Sequence, residues 1–317
     1  GHTLICDEMK DEVLKTELET AYKKYTDDEV AKDRERLATL EAIEHHEHTN
    51  KDELDKVADG DVAKWNAATE QAHEHANEEE LAKIKVACEE AEKIFNDAKD
   101  FIKPGMNCQD VYAWFQNEVE RKGYGWSWPK SCNPGVFSGY GCPGGHMGAP
   151  DFPIQKGDVV NIDFGIIVDG YGCDLQRMYY ILKDGETEAP EDLVFAFNAV
   201  RDGIQKAAEA LKPGVTGLEV DTVARDYIMS LGFPSWNAAL GHQMGRVAHD
   251  GGPLLGPVRP RYNRDELIRV PLYENMVFTL EPGVPTRAGR VALEEDVVVK
   301  KDGAEFIVPP QTEFYLI

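Results

Sequence analysis

The 317-residue chain has no Cys-x-x-Cys pair, no apolar run long enough to span a bilayer and no excess of basic residues. Each absence excludes something. Its cysteines (Cys6, Cys88, Cys108, Cys132, Cys142 and Cys173) are too scattered for a disulfide scaffold or a zinc ribbon, and fit reduced thiols. No basic-then-apolar targeting signal opens the chain, so a soluble, cytoplasmic protein is expected, with no membrane partner. Lys and Arg number 34 against 58 Asp and Glu, a formal charge of −24, which argues against nucleic acid and anionic membranes as partners. The hydrophobic fraction, 42%, is that of a globular protein with a substantial core.

Residues 1–76 nearly lack glycine and strand-like alternation. Apolar residues recur there at helical spacing: Met9, Val13, Leu14, Leu18 and Tyr22, then Val30, Leu37, Leu40 and Ile43, then Leu54, Val57 and Trp65. This predicts three amphipathic helices, broken near Thr26-Asp27-Asp28 and Thr49-Asn50, that form an acidic all-α extension. His45, His46, His48, His73 and His75 lie in it without a repeated ligand spacing, and read as part of a solvated, charged face.

From residue 77 the pattern changes, and 77–317 is expected to be the catalytic domain. A helix carrying Leu81, Ile84, Ala87, Ala91, Ile94, Phe95 and Phe101 ends at Lys103-Pro104-Gly105. A second helix with Val111, Phe115 and Val119 ends at Gly123. Lys212-Pro213-Gly214, Val220, Ile228 and Gly232 repeat these marks, each 109 residues after its counterpart. Strand-like runs follow each helix pair, over 159–182 and 277–299. An internally duplicated helix–helix–hairpin unit is predicted, with the hairpins inside and a cleft between the halves.

Val159-Val160-Asn161-Ile162-Asp163-Phe164-Gly165 reads as a buried strand, and Asp169-Gly170 as a two-residue hairpin turn. That register sets Val168 opposite Tyr171 and Asp163 opposite Gln176, with Asp174 on the same face as a diagonal neighbour of Asp163. Adjacent carboxylates repel unless a cation lies between them, although a plain solvated face also accommodates two aspartates. The second half adds Glu281 at the end of an apolar strand, and Glu294 within Leu293-Glu294-Glu295-Asp296. Gly241-His242 contributes an imidazole, with His249 seven residues on. One histidine among carboxylates makes an oxygen-rich site suited to Mn(II), with Co(II), Zn(II) or Fe(II) also compatible.

The order and spacing of these motifs resemble the pita-bread (creatinase/aminopeptidase-like) metallopeptidases: methionine aminopeptidases, prolidases and Xaa-Pro aminopeptidases. The matching segments are Asn161-Ile162-Asp163-Phe164-Gly165, Gly170-Tyr171 through Asp174 to Arg177, Gly241-His242, Thr279-Leu280-Glu281-Pro282-Gly283 and Leu293-Glu294-Glu295-Asp296. The resemblance implies an α+β fold and two divalent metal ions per chain, held by Asp163, Asp174, His242, Glu281 and Glu294. It implies that a hydroxide bridging the metals attacks the peptide bond, that Glu281 shuttles the proton, and that His249 polarises the scissile carbonyl. His146 would line the substrate pocket, a short peptide would be the substrate, and the protein would be a homodimer. Arg177 would brace the carboxylates or sit on an exposed strand. Trp126, Trp128, Phe137, Tyr140, Trp236 and the segment from Arg259 to Tyr262 are candidates for the pocket lining. The Glu281-Pro282-Gly283 turn resembles the proline-specific branch. Ala238 and Gln243 depart from that branch, and so does the helical extension. A non-peptide lyase or hydrolase, or a non-catalytic binding member, stands as the alternative on the same fold.

Overall fold

The computed structural model describes residues 61–145, 147–259 and 265–317, with the backbone alone over 61–77. The chain divides into two compact units, 1–70 and 71–317. The three expected helices of the extension, with His45, His46 and His48, lie outside the described residues, as do the side chains of His73 and His75. A single helix, α1 (Asp61–Phe101), runs through position 76/77, where the composition changes.

In the second unit the duplication is visible element by element. Helix α2 (Cys108–Lys122) starts at a capping box in which Asn107 accepts from the amide of Gln109, with Asp110 completing the box. Helix α4 (Gly217–Ser230) starts at the same device, 109 residues on, with Thr216 and Glu219. Such caps satisfy amides that the helix itself leaves unpaired. The two helices bury Val111, Phe115 and Val119 on one side, and Val220, Ala224 and Ile228 on the other. Helix α3 (Glu191–Ala210) takes in the second half the place of the end of α1 in the first.

The strands form the inner layer. In the first half β1 (Gly125–Trp126), β2 (Gly135–Ser138), β3 (Val159–Phe164), β4 (Ile166–Val168), β5 (Tyr171–Gly172) and β6 (Leu175–Tyr180) follow one another. The second half contributes β7 (Gly241–His242), β8 (Leu254–Leu255), β9 (Val277–Leu280), β10 (Gly283–Thr286), β11 (Gly289–Ala292), β12 (Glu295–Lys300), β13 (Gly303–Phe306) and β14 (Tyr315–Leu316). One sheet has the order β14-β6-β3-β2, and another β13-β12-β9. A bridge between Gln176 and Glu294 brings the two together. One core cluster packs α1 and α2 on the first half, and the other packs α3 and α4 on the second.

The β3–β6 register is the one expected: Asp163 pairs with Gln176, and Val168 with Tyr171. Asp169 and Gly170 turn the chain with φ of 51° and 84°, as a primed hairpin turn requires. The ladder is nonetheless interrupted at Gly165 and at Cys173-Asp174, splitting the hairpin in two. At the break the backbone pairs elsewhere, with Gly165 O accepting from Asn133 Nδ2 at 2.6 Å, and only glycine fits, since a Cβ on Gly165 would lie 2.2 Å from the carbonyl oxygen of Cys173 and 2.5 Å from the Trp128 ring.

Candidate metal centre

Asp163, Asp174, His242, His249, Glu281 and Glu294 line one cavity of about 270 Å³. The five residues expected to bind metal come from both halves of the duplication and meet where β6 and the start of β12 touch. Asp174 is buried and Asp163 half-buried, and both line the cavity, so the reading of the aspartates as a plain solvated face does not hold. His242 Nε2 stands 3.6 Å from Asp174 Oδ2 and 3.8 Å from Glu281 Oε1. One donor atom each of Asp174, His242 and Glu294 fall within 4.8 Å of one another, a spacing a single cation can close. The His249 ring stacks on His242 at 4.0 Å between centroids.

Local packing explains these placements. A Cβ on Gly241 would lie 1.8 Å from the carbonyl oxygen of Thr279, so only glycine lets β7 lie this close to β9. That contact puts His242 beside Glu281, whose amide donates to Leu240 O at 2.6 Å. Glu294 accepts from Gln176 Nε2 at 2.8 Å, which orients its carboxylate. The backbone amide of Asp174 donates to Asp296 Oδ2 at 3.0 Å and holds the interrupted stretch of the hairpin in place. The alternative of a surface position for Arg177 does not hold. It is wholly buried, pairs with both carboxylate oxygens of Glu295 and with Glu92, and donates to Glu294 O at 3.0 Å. Its guanidinium therefore braces the backbone that carries Glu294.

The electrostatics are those of a site built for positive charge. Burial pushes the Asp163 carboxyl up to about 7, with Arg290 acting against the shift. Burial and the neighbouring Asp163 push Glu281 up to about 8. Asp174 and Glu294 are also held well above the usual carboxylate range, by burial first, and second by repulsion from Asp163 and from Asp174 respectively. Asp174 Oδ1 is buried with no hydrogen-bond partner among the described residues. An orphaned carboxylate oxygen amid three other carboxylates and an imidazole fits a divalent cation, by donor chemistry and by charge.

The remaining expected residues divide. Trp128 lines the cavity, whereas Trp126 packs on the first core and Tyr140 is exposed. Trp236 lies under the Arg225 guanidinium at 3.9 Å, in the packing of the second half. Phe137 is half-buried, Arg259 donates to Trp236 O at 2.8 Å, and residues 260–262 lie outside the described residues. His146 also lies outside them, between Gly145 and Met147, which both line the cavity. Pro129, Cys132, Gly135 and Met147 complete the wall without having been marked by any motif.

Metallopeptidase family M24 matches the chain over residues 82–301. The Xaa-Pro dipeptidase of Pyrococcus horikoshii is 29% identical over 233 residues, which are 73% of this chain and 61% of that protein. The crystal structure of an X-Pro aminopeptidase from Thermotoga maritima superposes with a TM-score of 0.64 at 30% identity, over 76% of this chain and 63% of the other. A methionine aminopeptidase from Rickettsia prowazekii shares the fold, with a TM-score of 0.59 at 22% identity over 73% of this chain and 97% of that one. The fold is thus the pita-bread α+β arrangement. The chain spans less than two thirds of the length of the Xaa-Pro relatives it matches.

Proposed function

Because the chain belongs to metallopeptidase family M24, we propose that it is a dinuclear-metal-dependent peptidase that releases the N-terminal residue from short peptides, preferentially at Xaa-Pro bonds. The observation that carries this reading is the convergence of four carboxylates and one imidazole on one cavity, each carboxyl pushed well above its usual range. The names of the Xaa-Pro dipeptidase and X-Pro aminopeptidase relatives support the substrate class. Residues 77–317 are assigned to the catalytic domain, and 1–76 to a helical extension. The same reading makes the protein a cytoplasmic homodimer.

Asp163, Asp174, His242, Glu281 and Glu294 would hold two divalent ions, with Mn(II) favoured by the oxygen-rich donor set. When bound, such ions supply Lewis acidity and an activated water. Glu281, set at the edge of the cluster with a raised proton affinity, takes and returns the proton that the leaving amine needs. His249 directs its imidazole at the carbonyl that gains negative charge, and its stacking on His242 fixes the ring plane. His146 is assigned to the substrate wall between Gly145 and Met147. Trp128, Pro129 and Met147 supply an apolar surface against a side chain or a proline ring.

The test is to strip the protein with chelator, reload Mn(II) or Co(II), and follow cleavage of Xaa-Pro dipeptides, Xaa-Pro-Xaa tripeptides and Met-initiated peptides. Metal-dependent release of the first residue from the proline peptides, lost in Asp174→Ala, is expected. Two bound metals with no turnover would redirect the reading to a non-peptide substrate, and no metal binding would end the enzyme reading.

A further inference from the structure

We propose that α1 is a working part of the metal centre, with Cys88 as a positioning residue that fixes the metal ligand Asp174 through Asp296. Cys88 Sγ donates to Asp296 Oδ2 at 3.3 Å, and the same oxygen accepts from the Asp174 amide at 3.0 Å. All three residues are buried. They form a relay from the helix, across the start of β12 in the second half, to the break in the hairpin of the first.

The break is what makes the relay necessary. An amide inside a regular ladder is held by the facing strand, but Cys173 and Asp174 fall between β5 and β6. Side chains take over there. Cys173 Sγ accepts from the Ile166 amide at 3.4 Å, and Asp296 Oδ2 takes the Asp174 amide. A buried amide without an acceptor is costly, so the Asp174 backbone follows the Asp296 carboxylate.

The backbone of Asp296 is fixed by its pairing with Thr279 of β9 and by the Ile307 amide, which donates to Asp296 O at 2.9 Å. Its carboxylate is held far less. Among the described residues Oδ1 is buried with no hydrogen-bond partner, and Oδ2 has the Asp174 amide and the Cys88 thiol. Of these two donors, Cys88 alone belongs to an anchored element outside the site, since α1 buries Ile84, Ala87, Cys88, Ala91 and Phe95 in the first core. The thiol sets the rotation of the carboxylate, and the carboxylate sets the ligand.

The following turns of α1 act in parallel. Glu92 accepts from Arg177 Nε at 2.6 Å, and Arg177 donates to Glu294 O at 3.0 Å. Phe95 O accepts from Tyr179 OH at 2.7 Å, on the same strand as Arg177. Positions 88, 92 and 95 share one helix face, so that face steadies Asp174 through one relay and Glu294 through another. These are two of the three residues whose donor atoms lie within 4.8 Å of one another, one from each half of the duplication. The role rests on the metal reading of the site, and the experiment separates the two.

The full-length chain, stripped with chelator, is titrated with Mn(II) by calorimetry, and the absorption spectrum of the Co(II)-loaded protein is recorded. Cys88→Ala and Cys88→Val both remove the donor, one leaving a void and the other filling it. Both should bind Mn(II) about fivefold more weakly, short of the ~10–100-fold loss that follows removal of a ligand's direct partner, and both should shift the Co(II) bands. Cys88→Ser keeps a donor and should restore the spectrum and most of the affinity. Ile84→Val trims the same packed helix away from the relay and should leave the affinity within about twofold. If Cys88→Ala does not fold, Cys88→Val decides alone. Unchanged affinity and spectrum in Cys88→Val overturn the proposal. So does a Cys88→Ser variant as weak as Cys88→Val, because packing and not the hydrogen bond then carries the effect. An unsubstituted chain that binds no metal removes the metal reading, and the proposal falls with it.

Discussion

Arg177 is a fully buried charge, and its worth lies in what its absence would leave behind. Its guanidinium is matched by Glu295 and Glu92 and by the Glu294 carbonyl. Arg177→Ala would strand Glu295 in a dry environment and release the strand that carries Glu294. Breaking a buried pair from one side costs about 3–5 kcal/mol. The expected result in a denaturant titration is a loss of that size, accompanied by weaker metal uptake. Unchanged stability would mean that Glu295 is neutral in the folded protein. Asp174 makes a different kind of residue-scale prediction. Asp174→Asn preserves shape and the amide contact to Asp296 but removes one negative charge from the cluster. Calorimetric titration with Mn(II) should therefore show at least tenfold weaker binding, with the fold unchanged.

At the scale of elements, the duplicated helices offer a paired experiment. Thr216→Ala and Asn107→Ala each remove one capping box, and each should lower stability by about 1 kcal/mol, measured separately by thermal or denaturant unfolding. Asn107 also donates to Asp151 and accepts from the Phe152 amide, so its substitution should cost more than that of Thr216. Equal losses would show that the loop contacts contribute nothing. Gly241→Ala tests the contact between β7 and β9 directly. A methyl group 1.8 Å from a backbone oxygen cannot be accommodated without moving β7, and His242 moves with it. Metal binding should fall further than global stability does.

At the scale of the whole molecule, the acidic centre makes the metal-free protein sensitive to pH in an unusual direction. Asp163 and Glu281 are pushed up to about 7 and about 8 by burial. An unfolded carboxyl titrates near 4. Between those values the folded chain holds more protons than the unfolded one, so its stability falls as pH rises. Chelator-treated protein should unfold at lower denaturant at pH 8 than at pH 5, and added divalent metal should remove most of that difference. A metal-free protein equally stable at both values would show that the carboxylates are already compensated. Metal uptake near pH 7 should also release protons, measurable as a dependence of the binding heat on buffer.

The β3–β6 register and the helix repeat were legible in the sequence because both rest on local rules. A two-residue turn at Asp169-Gly170 fixes every pairing before and after it, which carried Asp163 to Gln176 correctly across the interruption. The Lys-Pro-Gly turns, the apolar positions and the glycines that end the helices recur at one offset, so the second copy was recognisable from the first. The five candidate ligands were legible as residue types in order. The choice between a braced and an exposed Arg177 was not, because Glu92, its partner on α1, lies 85 positions away. Nor was the wall formed by Pro129, Cys132 and Met147, which no motif marks and which only the folded chain brings to the cavity. The sequence by itself determined the duplicated helix pairs, the register of the central hairpin, and which side chains carry charge. The tertiary structure alone decided which of those charges lose their water together, since desolvation depends on what folds over a residue and not on its neighbours in the chain.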